Sequence, residues 1–399
     1  MVHFANRTKL MQASEIRESY KLMGIPGMIS MASGSPDSDL FPVEDIIESI
    51  MSTFKYHASE ALQYATTEGY LPLREKLVEK MKQTAKVECT TDNIILVSGS
   101  QQGLELSAKI FVNEGDYIAC ESPSYMGAFN AFCPYLPEYE SIPTDDIGII
   151  PEELDKVLAR NEKVSMIYVI PNFQNPTGHT WSLERRRAFM DVIQKYNVPV
   201  IEDDPYGEIR YEGESLPSLK SMDTKGQIVY LGSFSKIMAP GFRVGWICAE
   251  PEIIEKFVFA KQGCDMQVTA FAPIILSEYM EAHDLNKHVK KICDSNKRKR
   301  DLMLNQMEEN FPDTVKWFKP EGGLFIWVTL PEGINSKYVL DRCVENNVIF
   351  VTGKLFYPMN GPENTFRLNF SKMSEENIVE GIKRLGAILK DIVNNREIL

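Results

Sequence analysis

The sequence predicts an α/β protein with a large domain, in which helices cover both faces of a mostly parallel sheet, and a smaller α+β domain. Two observations support this prediction. Between residues 94 and 248, short apolar runs alternate with helical patterns, which is typical of strands buried between two layers of helices. The last third of the chain changes to longer helical stretches that are separated by isolated strands.

Six short apolar runs in the central part of the chain are interpreted as buried strands. They lie at residues 94–98, 117–120, 165–170, 198–202, 228–231 and 244–248. Helical patterns fill several of the intervals, for example residues 183–196. In sheets of this type, ligands bind beyond the carboxyl ends of the strands. Polar residues that follow these runs are therefore candidates for a functional site.

The C-terminal part is expected to form the smaller domain. A basic helix over residues 287–307 precedes predicted strands that lie at 324–329, 348–351 and 365–370. The last helix should run from about Glu375 to Val393, with Ser374 as its N-cap. The predicted division is an N-terminal segment 1–46 packing with the small domain, a large domain 47–290 and a small domain 291–399.

Composition and charge narrow the choice of partners. The 399 residues include 43 Lys and Arg against 56 Asp and Glu, a net charge of −13, which argues against nucleic acid or an anionic membrane. No apolar run is long enough to span a bilayer, and the start of the chain does not resemble a signal peptide. Seven cysteines without a Cys-x-x-Cys pair indicate reduced thiols in a cytoplasmic protein, and no metal site is expected.

The segment 232–245 reads Gly-Ser-Phe-Ser-Lys-Ile-Met-Ala-Pro-Gly-Phe-Arg-Val-Gly and directly follows a predicted strand. Lys236 therefore lies on a loop where a site is expected. A lysine near two hydroxyls and an arginine suits an aldehyde cofactor that carries a phosphate. The lysine can form an imine, while the phosphate can be held by Ser233, Ser235 and Arg243. Taken alone, the motif could also be a solvated surface loop.

A second motif that could bind phosphate is Ser-Gly-Ser-Gln-Gln-Gly at 98–103, which follows a predicted strand and opens a helical pattern. Free backbone N–H groups and the helix dipole make a glycine-punctuated helix N-terminus an anion site. Ser100 and Gln101 are therefore phosphate candidates, although many helices begin in this way without binding an anion.

Two more polar motifs follow strands. Asn-Pro-Thr-Gly at 175–178 also has the composition of an ordinary turn. The run Ile-Glu-Asp-Asp-Pro-Tyr at 201–206 places carboxylates at a strand end, where a buried carboxylate requires a cationic partner. A protonated pyridine nitrogen would be such a partner, and Tyr206 could hydrogen-bond a ring hydroxyl. The alternative is a turn rich in Asp and Pro.

These motifs together resemble one enzyme family. Gly-Ser-Gln-Gln-Gly, Ser-Tyr-Met-Gly-Ala, Asn-Pro-Thr-Gly, Asp-Asp-Pro-Tyr and Ser-Phe-Ser-Lys with a following arginine resemble, in this order, the class I/II aminotransferases of pyridoxal-5′-phosphate (PLP) fold type I. Segments 14–17, 29–36, 63–69 and 367–371 are most similar to the 2-aminoadipate and kynurenine/aminoadipate aminotransferase group. The resemblance implies an aspartate-aminotransferase-like large domain with a mostly parallel seven-stranded sheet.

The resemblance also implies roles around the cofactor ring. Lys236 would be the Schiff-base lysine and the proton carrier of the reaction. Asp203 would pair with the pyridine nitrogen, although the sequence alone could confuse it with its neighbour Asp204. Tyr206 and Asn175 would contact the ring hydroxyl.

Further residues would complete the cofactor site. Tyr125 would stack on the ring, where an ordinary half-buried aromatic residue is the alternative. Tyr64 would reach the phosphate bound by a neighbouring subunit, which implies a homodimer. The phosphate of the same subunit would be held by Ser100, Gln101, Ser233, Ser235 and Arg243.

For the substrate, the resemblance implies that Arg367 clamps the α-carboxylate in a bidentate pair, with Asn175 beside it. Gly34 would line the same pocket with its backbone, and Arg17 would recognise a second, side-chain carboxylate or else be an ordinary solvated charge. The sequence departs from the family pattern at Ser33-Gly34-Ser35, where relatives commonly have Gly-Gly and an apolar residue. This departure leaves the substrate preference open.

The function implied is that of a PLP-dependent aminotransferase. It would move the amino group of an L-amino acid to a 2-oxo acid. The donor would be of the 2-aminoadipate, aromatic or branched-chain type, and the expected acceptor is 2-oxoglutarate. The alternatives are a PLP-dependent lyase or decarboxylase on the same fold, since fold does not imply function. A PLP-binding effector domain of a transcription regulator fits less well, because those proteins carry a DNA-binding region in front and this chain is acidic.

Overall fold

The computed structural model describes residues 2–9 and 25–395. The strands in these residues are β1 (Ile29–Ser30), β2 (Ile94–Val97), β3 (Tyr117–Ser122), β4 (Glu138–Asp145), β5 (Gly148–Ile149), β6 (Val164–Val169), β7 (Val200–Asp203), β8 (Ile228–Ser233), β9 (Gly245–Cys248), β10 (Lys316–Trp317), β11 (Phe325–Thr329), β12 (Val348–Ile349), β13 (Val351–Thr352) and β14 (Thr365–Asn369). They form a central sheet, a four-stranded sheet and a two-stranded sheet.

The helices cover these sheets. The α-helices are α1 (Val43–Tyr56), α2 (Ala58–Leu62), α3 (Leu71–Thr84), α4 (Ser100–Phe111), α5 (Met126–Phe132), α6 (Pro151–Arg160), α7 (Leu183–Ile193), α8 (Pro251–Gln262), α9 (Phe271–Ala282), α10 (Leu285–Asn310), α11 (Ser336–Glu345) and α12 (Glu375–Asn394). Short 3-10 helices lie at Asn6–Lys9, Ser38–Leu40, Thr91–Asn93, Cys133–Tyr135, Lys220–Met222, Pro240–Phe242 and Gly353–Phe356. None of the helices in the described ranges is long and apolar enough to cross a membrane.

The central sheet confirms the predicted α/β class. Its strand order is β2-β9-β8-β7-β6-β3-β4-β5. The pairs from β8 through β7, β6 and β3 to β4 are parallel, whereas β9 runs antiparallel to both of its neighbours. The six predicted strands are all present, and their ends agree with the prediction within two residues. Strands such as β2 are buried along their whole length, which explains why they read as unbroken apolar runs.

One long strand of this sheet, β4, was not among the six predicted strands. Its sequence is Glu-Tyr-Glu-Ser-Ile-Pro-Thr-Asp, and only Ile142 is fully buried, so the strand shows no apolar run. Its partner β5 has two residues and pairs with it in an antiparallel hairpin. The sheet therefore has seven longer strands, the number that the resemblance implied, and this short eighth strand at its edge.

The C-terminal part forms its own antiparallel sheet in the order β10-β11-β14-β13. Helix α12 begins after Ser374, whose side chain accepts a hydrogen bond from the backbone N–H of Asn377, so the predicted N-cap is confirmed. The helix buries a stripe at helical spacing against the core of this part, formed by Ile378, Ile382, Leu385, Leu389 and Ile392.

The segment before α1 packs against this C-terminal part. Strand β1 pairs in parallel with β12, and Ile29 and Met31 belong to the same hydrophobic cluster as the buried face of α12. These contacts are the ones expected of an N-terminal segment that packs with the small domain. The boundaries after residues 46 and 290 stay a prediction, and the helix α10 runs through the second of them.

The sheet brings the predicted polar motifs to one edge. Asp203 is the last residue of β7, and Ser233 is the last residue of the neighbouring strand β8. Ser100 opens α4 shortly after β2 ends at Val97. Because the carboxyl ends of parallel strands meet at one edge, these side chains face a common cavity.

Candidate active site

A cavity of about 230 Å³ lies at this edge of the central sheet. Ten of the residues that the sequence singled out line it: Ser100, Gln101, Tyr125, Asn175, Asp203, Tyr206, Ser233, Ser235, Lys236 and Arg243. Two lining residues were not singled out, Ile170 directly after β6 and Pro205 inside the Asp-Asp-Pro-Tyr motif. The motifs of the sequence, which are up to about 140 residues apart, therefore form one surface.

Asp203 is the acidic residue of this cavity and is almost completely buried, with 2% of its surface exposed. Its Oδ2 accepts a hydrogen bond of 2.9 Å from the hydroxyl of Tyr168, whereas its Oδ1 has no partner among the described residues. Burial raises the pKa of Asp203 to about 7, because the charged carboxylate has lost its hydration. A buried, unsatisfied carboxylate oxygen needs a donor or cation from a ligand.

The two acidic neighbours of Asp203 are already satisfied within the protein. Glu202 accepts hydrogen bonds of 2.8 Å from the backbone N–H groups of Leu219 and Lys220. Asp204 accepts hydrogen bonds from the Nδ2 of Asn172, the hydroxyl of Tyr230 and the N–H of Gly207. Of the two aspartates that the sequence could confuse, only Asp203 therefore offers a free oxygen to the cavity.

Lys236 is the amine of the cavity. Its Nζ donates a hydrogen bond of 2.8 Å to the carbonyl oxygen of Gly34, which belongs to the segment after β1. Burial, followed by the charges of Arg367 and Arg243, lowers the pKa of Lys236 to about 8. A neutral amine is the nucleophilic form, so this environment prepares Lys236 to react with an aldehyde near neutral pH.

The lowered pKa gives a testable pH dependence. In the cofactor-free protein, acylation of Lys236 by an amine reagent should reach half of its maximal rate near pH 8, because half of the amines are then neutral. Ordinary lysines titrate near about pH 10.4, so their labelling should keep rising well above pH 8. Peptide mass spectrometry after timed labelling measures both rates in one sample. A Lys236 profile that follows the other lysines would contradict the assigned environment.

The N-terminus of α4 forms an anion cradle. Gly99 precedes it with a φ of +74°, and a Cβ at this position would lie 2.6 Å from the Nη2 of Arg243. The same Nη2 donates to the carbonyl oxygen of Ser98 at 3.1 Å, which fixes the guanidinium beside the free N–H groups of the helix. The hydroxyls of Ser233, at the end of β8, and of Ser235, on the loop that follows, hydrogen-bond each other at 2.9 Å. Helix dipole, guanidinium and hydroxyls together fit a phosphate.

Asn175 connects the cofactor side of the cavity with the substrate side. Its Nδ2 lies 3.4 Å from the hydroxyl of Tyr206, and its Oδ1 accepts a hydrogen bond of 2.7 Å from the Nη1 of Arg367. The guanidinium of Arg367 also donates to the carbonyl oxygen of Ala32 at 2.8 Å and lies 4.1 Å from the centre of the Phe325 ring. Arg367 is thus a buried, oriented cation next to the cavity.

The other predicted site residues have different positions. Tyr125 lines the cavity at the start of α5, and its hydroxyl lies 3.5 Å from the Oε1 of Gln101. Tyr64 has 79% of its surface exposed and lines a separate surface cavity, so it does not reach the site of its own chain. Gly34 reaches the site through its carbonyl oxygen. Arg17 lies outside the described residues.

Three supporting residues of the site were not found by sequence reasoning. Tyr168 binds Asp203, Asn172 binds Asp204, and the fully buried Arg186 donates to the Oδ1 of Asn172 at 2.6 Å. Tyr168 and Arg186 lie inside a predicted strand and a predicted helix, where their sequence neighbours indicate only burial. A buried tyrosine whose hydroxyl must find a partner was the one available signal.

The residues of the cavity fit PLP. Lys236 suits its aldehyde, the cradle at Ser100 suits its phosphate, and Asp203 offers an unsatisfied oxygen that suits a protonated pyridine nitrogen. Tyr206 and Asn175 are neighbours and suit the ring hydroxyl. No group of His, Cys, Asp and Glu in residues 2–9 and 25–395 is arranged to hold a metal ion.

Comparison with known proteins agrees with this fit. The family described as aminotransferase class I and II matches residues 26–385. Aromatic-amino-acid aminotransferase 1 of Thermococcus litoralis is 44% identical over 98% of this chain and 94% of its own length. The kynurenine aminotransferase of Pyrococcus horikoshii is 42% identical, with a TM-score of 0.93 over 97% of both chains.

A third relative was solved with a phosphopyridoxyl compound. The alpha-aminoadipate aminotransferase of Thermus thermophilus, solved with N-(5′-phosphopyridoxyl)-L-leucine, is 34% identical, with a TM-score of 0.91 over 98% of both chains. These relatives favour transamination over the lyase and decarboxylase alternatives. The chain belongs to the class I and II aminotransferases and is a PLP-dependent transaminase of fold type I.

Proposed function

We propose that the enzyme transfers the amino group of an aromatic, branched-chain or 2-aminoadipate-type L-amino acid to 2-oxoglutarate, with Lys236 as the proton carrier. One observation carries the proposal. The Nζ of Lys236 and the guanidinium of Arg367 donate to the carbonyl oxygens of Gly34 and Ala32, two residues apart on one segment. A cation for the α-carboxylate and a base for the Cα proton are therefore held by one segment, and the charge of Arg367 acts on Lys236, as expected of groups that serve adjacent parts of one α-amino acid.

The cofactor and the residues around it divide the chemistry. When bound, PLP supplies an aldehyde that condenses with amino groups and a ring that accepts electrons from the substrate's Cα. Lys236 removes the proton of the Cα and holds it until the transfer is completed. Asp203 would keep the pyridine nitrogen protonated, because it lines the cavity and its Oδ1 has no partner among the described residues. Tyr125 lines the cavity and would cover one face of the ring, and Arg367 would hold the carboxylate end of the substrate.

The remaining residues fix the cofactor in place. The phosphate would be held by residues that line the cavity, namely Ser100, Gln101, Ser233, Ser235 and Arg243. Tyr206 and Asn175, which are neighbours, would donate hydrogen bonds to the ring hydroxyl, while Asn175 accepts a hydrogen bond from the guanidinium of Arg367 and orients it. This double contact supports a role for Asn175 on both the cofactor side and the substrate side.

Replacing Arg367 with lysine is expected to lower kcat/KM for every amino donor by about ten- to a hundredfold, the equivalent of one lost charged hydrogen bond. A lysine cannot reproduce the planar bidentate contact with a carboxylate. The loss should be similar for all donors, because each carries the same α-carboxylate. Arg300→Lys is the matched control, since Arg300 is also completely buried but hydrogen-bonds Glu212 and Asp301 outside the cavity. Equal kinetic losses in the two variants would contradict the assignment.

The residues beside Arg367 indicate which side chains the amino donor can carry. Phe325 and Phe356 lie 4.1 and 5.0 Å from the guanidinium of Arg367, which supports binding of apolar or aromatic side chains beside the carboxylate. The three relatives reported above are named for aromatic amino acids, kynurenine and alpha-aminoadipate. We propose Arg17 as the partner of a second carboxylate, in the donor 2-aminoadipate and in the acceptor 2-oxoglutarate.

The experiment is a set of half-reactions without acceptor. Each donor is mixed with the PLP-loaded enzyme, and the loss of the cofactor's visible absorbance gives the rate of amino transfer. Aromatic, branched-chain and 2-aminoadipate donors are expected to react, and the fastest class identifies the donor. Arg17→Ala should slow 2-aminoadipate selectively and leave phenylalanine unchanged. Absorbance that stays constant with every donor would refute the transfer of an amino group from these classes.

We also propose a cytoplasmic homodimer in which Tyr64 reaches the phosphate bound by the partner subunit. An apolar stripe at helical spacing is exposed along α1 and supports a covered interface: Val43, Ile47, Met51 and Phe54. The seven cysteines are free thiols, which supports a reducing compartment. Sedimentation analysis should give twice the mass of one chain, and Met51→Glu should shift it towards one chain. A wild-type monomer that binds PLP tightly would contradict this proposal.

A further inference from the structure

Tyr168 lies where the sheet can control the orientation of Asp203. It is on β6 and pairs in register with Ile201 of the neighbouring parallel strand β7. Asp203 follows Ile201 by two residues and therefore projects from the same face of the sheet. The hydroxyl of Tyr168 reaches the Oδ2 of Asp203 at 2.9 Å. The contact is thus built into the pairing of two central strands.

The ring of Tyr168 is held firmly in this position. The residue has 0% of its surface exposed, and its ring meets the ring of Phe132 edge-on, with 5.5 Å between the centroids. Burial and the nearby charge of Asp203 raise the pKa of Tyr168 far above its usual value, so its hydroxyl remains a donor. The other titratable groups that act on Tyr168 are Tyr125 and Glu121, and Asp204 acts on Asp203.

The hydrogen bond has two consequences for Asp203. It occupies Oδ2, so that Oδ1 is the carboxylate oxygen left without a partner, on a residue that lines the cavity. It also favours the charged form of a carboxylate that burial would otherwise neutralise, because a donor stabilises the anion. Orientation and charge are the two properties that a partner of a protonated pyridine nitrogen needs.

We propose that Tyr168 is a positioning residue of the transamination reaction, which holds Asp203 charged and aimed at the pyridine nitrogen of PLP. The proposal rests on the role proposed for Asp203. Tyr168 does not line the cavity, so it acts through Asp203 and not through contact with cofactor or substrate.

The neighbouring pair Tyr230 and Asp204 provides a matched control. Tyr230 is also buried, with 4% of its surface exposed, and its hydroxyl reaches the Oδ2 of Asp204 at 3.0 Å. Tyr168→Phe and Tyr230→Phe therefore each remove one hydroxyl from one of two adjacent buried aspartates. Both should lower the melting temperature by a similar amount, because each loses one buried hydrogen bond.

Two measurements separate the variants. In titrations of cofactor-free protein, Tyr168→Phe should weaken the Kd for PLP by about tenfold or more, the equivalent of a hydrogen bond to a charged group, and Tyr230→Phe should not. In half-reactions, Tyr168→Phe should lower kcat by a similar factor without changing KM for the donor, because Arg367 is untouched. If both tyrosine variants behave alike, or if only Tyr168→Phe fails to fold, the hydroxyl is structural and the proposal is wrong.

The Asp203→Asn variant tests separately whether the role of Tyr168 or the role of Asp203 is wrong. If Asp203→Asn binds PLP and turns over like the wild type, the role of Asp203 itself is wrong. If Asp203→Asn is impaired and Tyr168→Phe matches Tyr230→Phe, only the role of Tyr168 is wrong. In the double variant, the effect of Tyr168→Phe on the Kd for PLP should disappear, because the tyrosine acts through the carboxylate that has been removed.

Discussion

Replacing Lys236 with alanine is expected to lower the rate of amino transfer by about 10²- to 10⁴-fold, the usual contribution of a positioned proton carrier. Lys236 is the amine of the cavity that hydrogen-bonds Gly34, beside the segment that also orients Arg367. The shorter side chain leaves no base next to the Cα of the substrate. Single-turnover half-reactions with saturating donor measure the loss without interference from product release.

Lys220→Ala is the control for this variant. Lys220 is also buried, with 7% of its surface exposed, but it forms ion pairs with Asp223 and Glu250 outside the cavity. Its removal is expected to lower the melting temperature, because two carboxylates lose their partner, and to leave the half-reaction rate within about threefold. A Lys236→Ala enzyme with wild-type half-reaction rates would refute the role of Lys236 as proton carrier.

The central sheet could be predicted because its strands are buried on both faces. A run such as Ile94–Val97 has no polar residue to interrupt it, and its burial follows directly from that composition. The strand Glu138–Asp145 could not be predicted in the same way. Ile142 is its only fully buried residue, and its place in the sheet depends on hydrogen bonds to β3 rather than on an apolar pattern.

The cavity could be predicted to the extent that its residues lie in local motifs at strand ends. Lys236 and the glycines, serines and arginine that suit an aldehyde cofactor with a phosphate all lie within fourteen residues of sequence. The orientation of each side chain could not be read in this way. Asp203 and Asp204 are adjacent and chemically identical, and only the contacts with Tyr168 and Tyr230 show which of them faces the cavity.

The same limit applies to supporting contacts across long sequence distances. The hydrogen bond from Arg367 to Asn175 joins residues that are 192 positions apart, and the one from Lys236 to Gly34 spans 202 positions. No local pattern records such a pairing, because it depends on how the C-terminal sheet and the segment after β1 pack over the central sheet. Residues that act through these contacts become visible only in the folded chain.

Asp203→Asn is expected to lower kcat/KM by tens- to thousands-fold, since truncating one partner of a buried charge pair costs about 2–5 kcal/mol. Tyr168 donates to one oxygen of Asp203. An asparagine here would keep its carbonyl oxygen towards Tyr168 and present its NH₂ group to the cavity. An NH₂ group can only donate, so the pyridine nitrogen would remain unprotonated and the ring would lose its power to accept electrons.

The same substitution should stabilise the cofactor-free protein. Burial raises the pKa of Asp203 to about 7 from an unfolded value near 3.8, so folding is penalised progressively as the pH rises between these values and fully above pH 7. Asparagine carries no charge and avoids the penalty. The melting temperature of cofactor-free Asp203→Asn should therefore exceed that of the wild type at pH 8, and the difference should shrink towards pH 4.

Asp204→Asn should show the opposite combination. Asp204 accepts hydrogen bonds from Asn172, Tyr230 and Gly207. The NH₂ group of an asparagine would face one of these donors and could not accept its hydrogen bond, which should cost about 1–3 kcal/mol of stability. Its kcat/KM should stay within about threefold of the wild type, because Asp204 does not face the cavity. A loss of activity in Asp203→Asn together with a loss of stability in Asp204→Asn would show that Asp203 serves the reaction and that Asp204 stabilises the fold. Activity lost only at 204 would move the partner of the pyridine nitrogen to that residue.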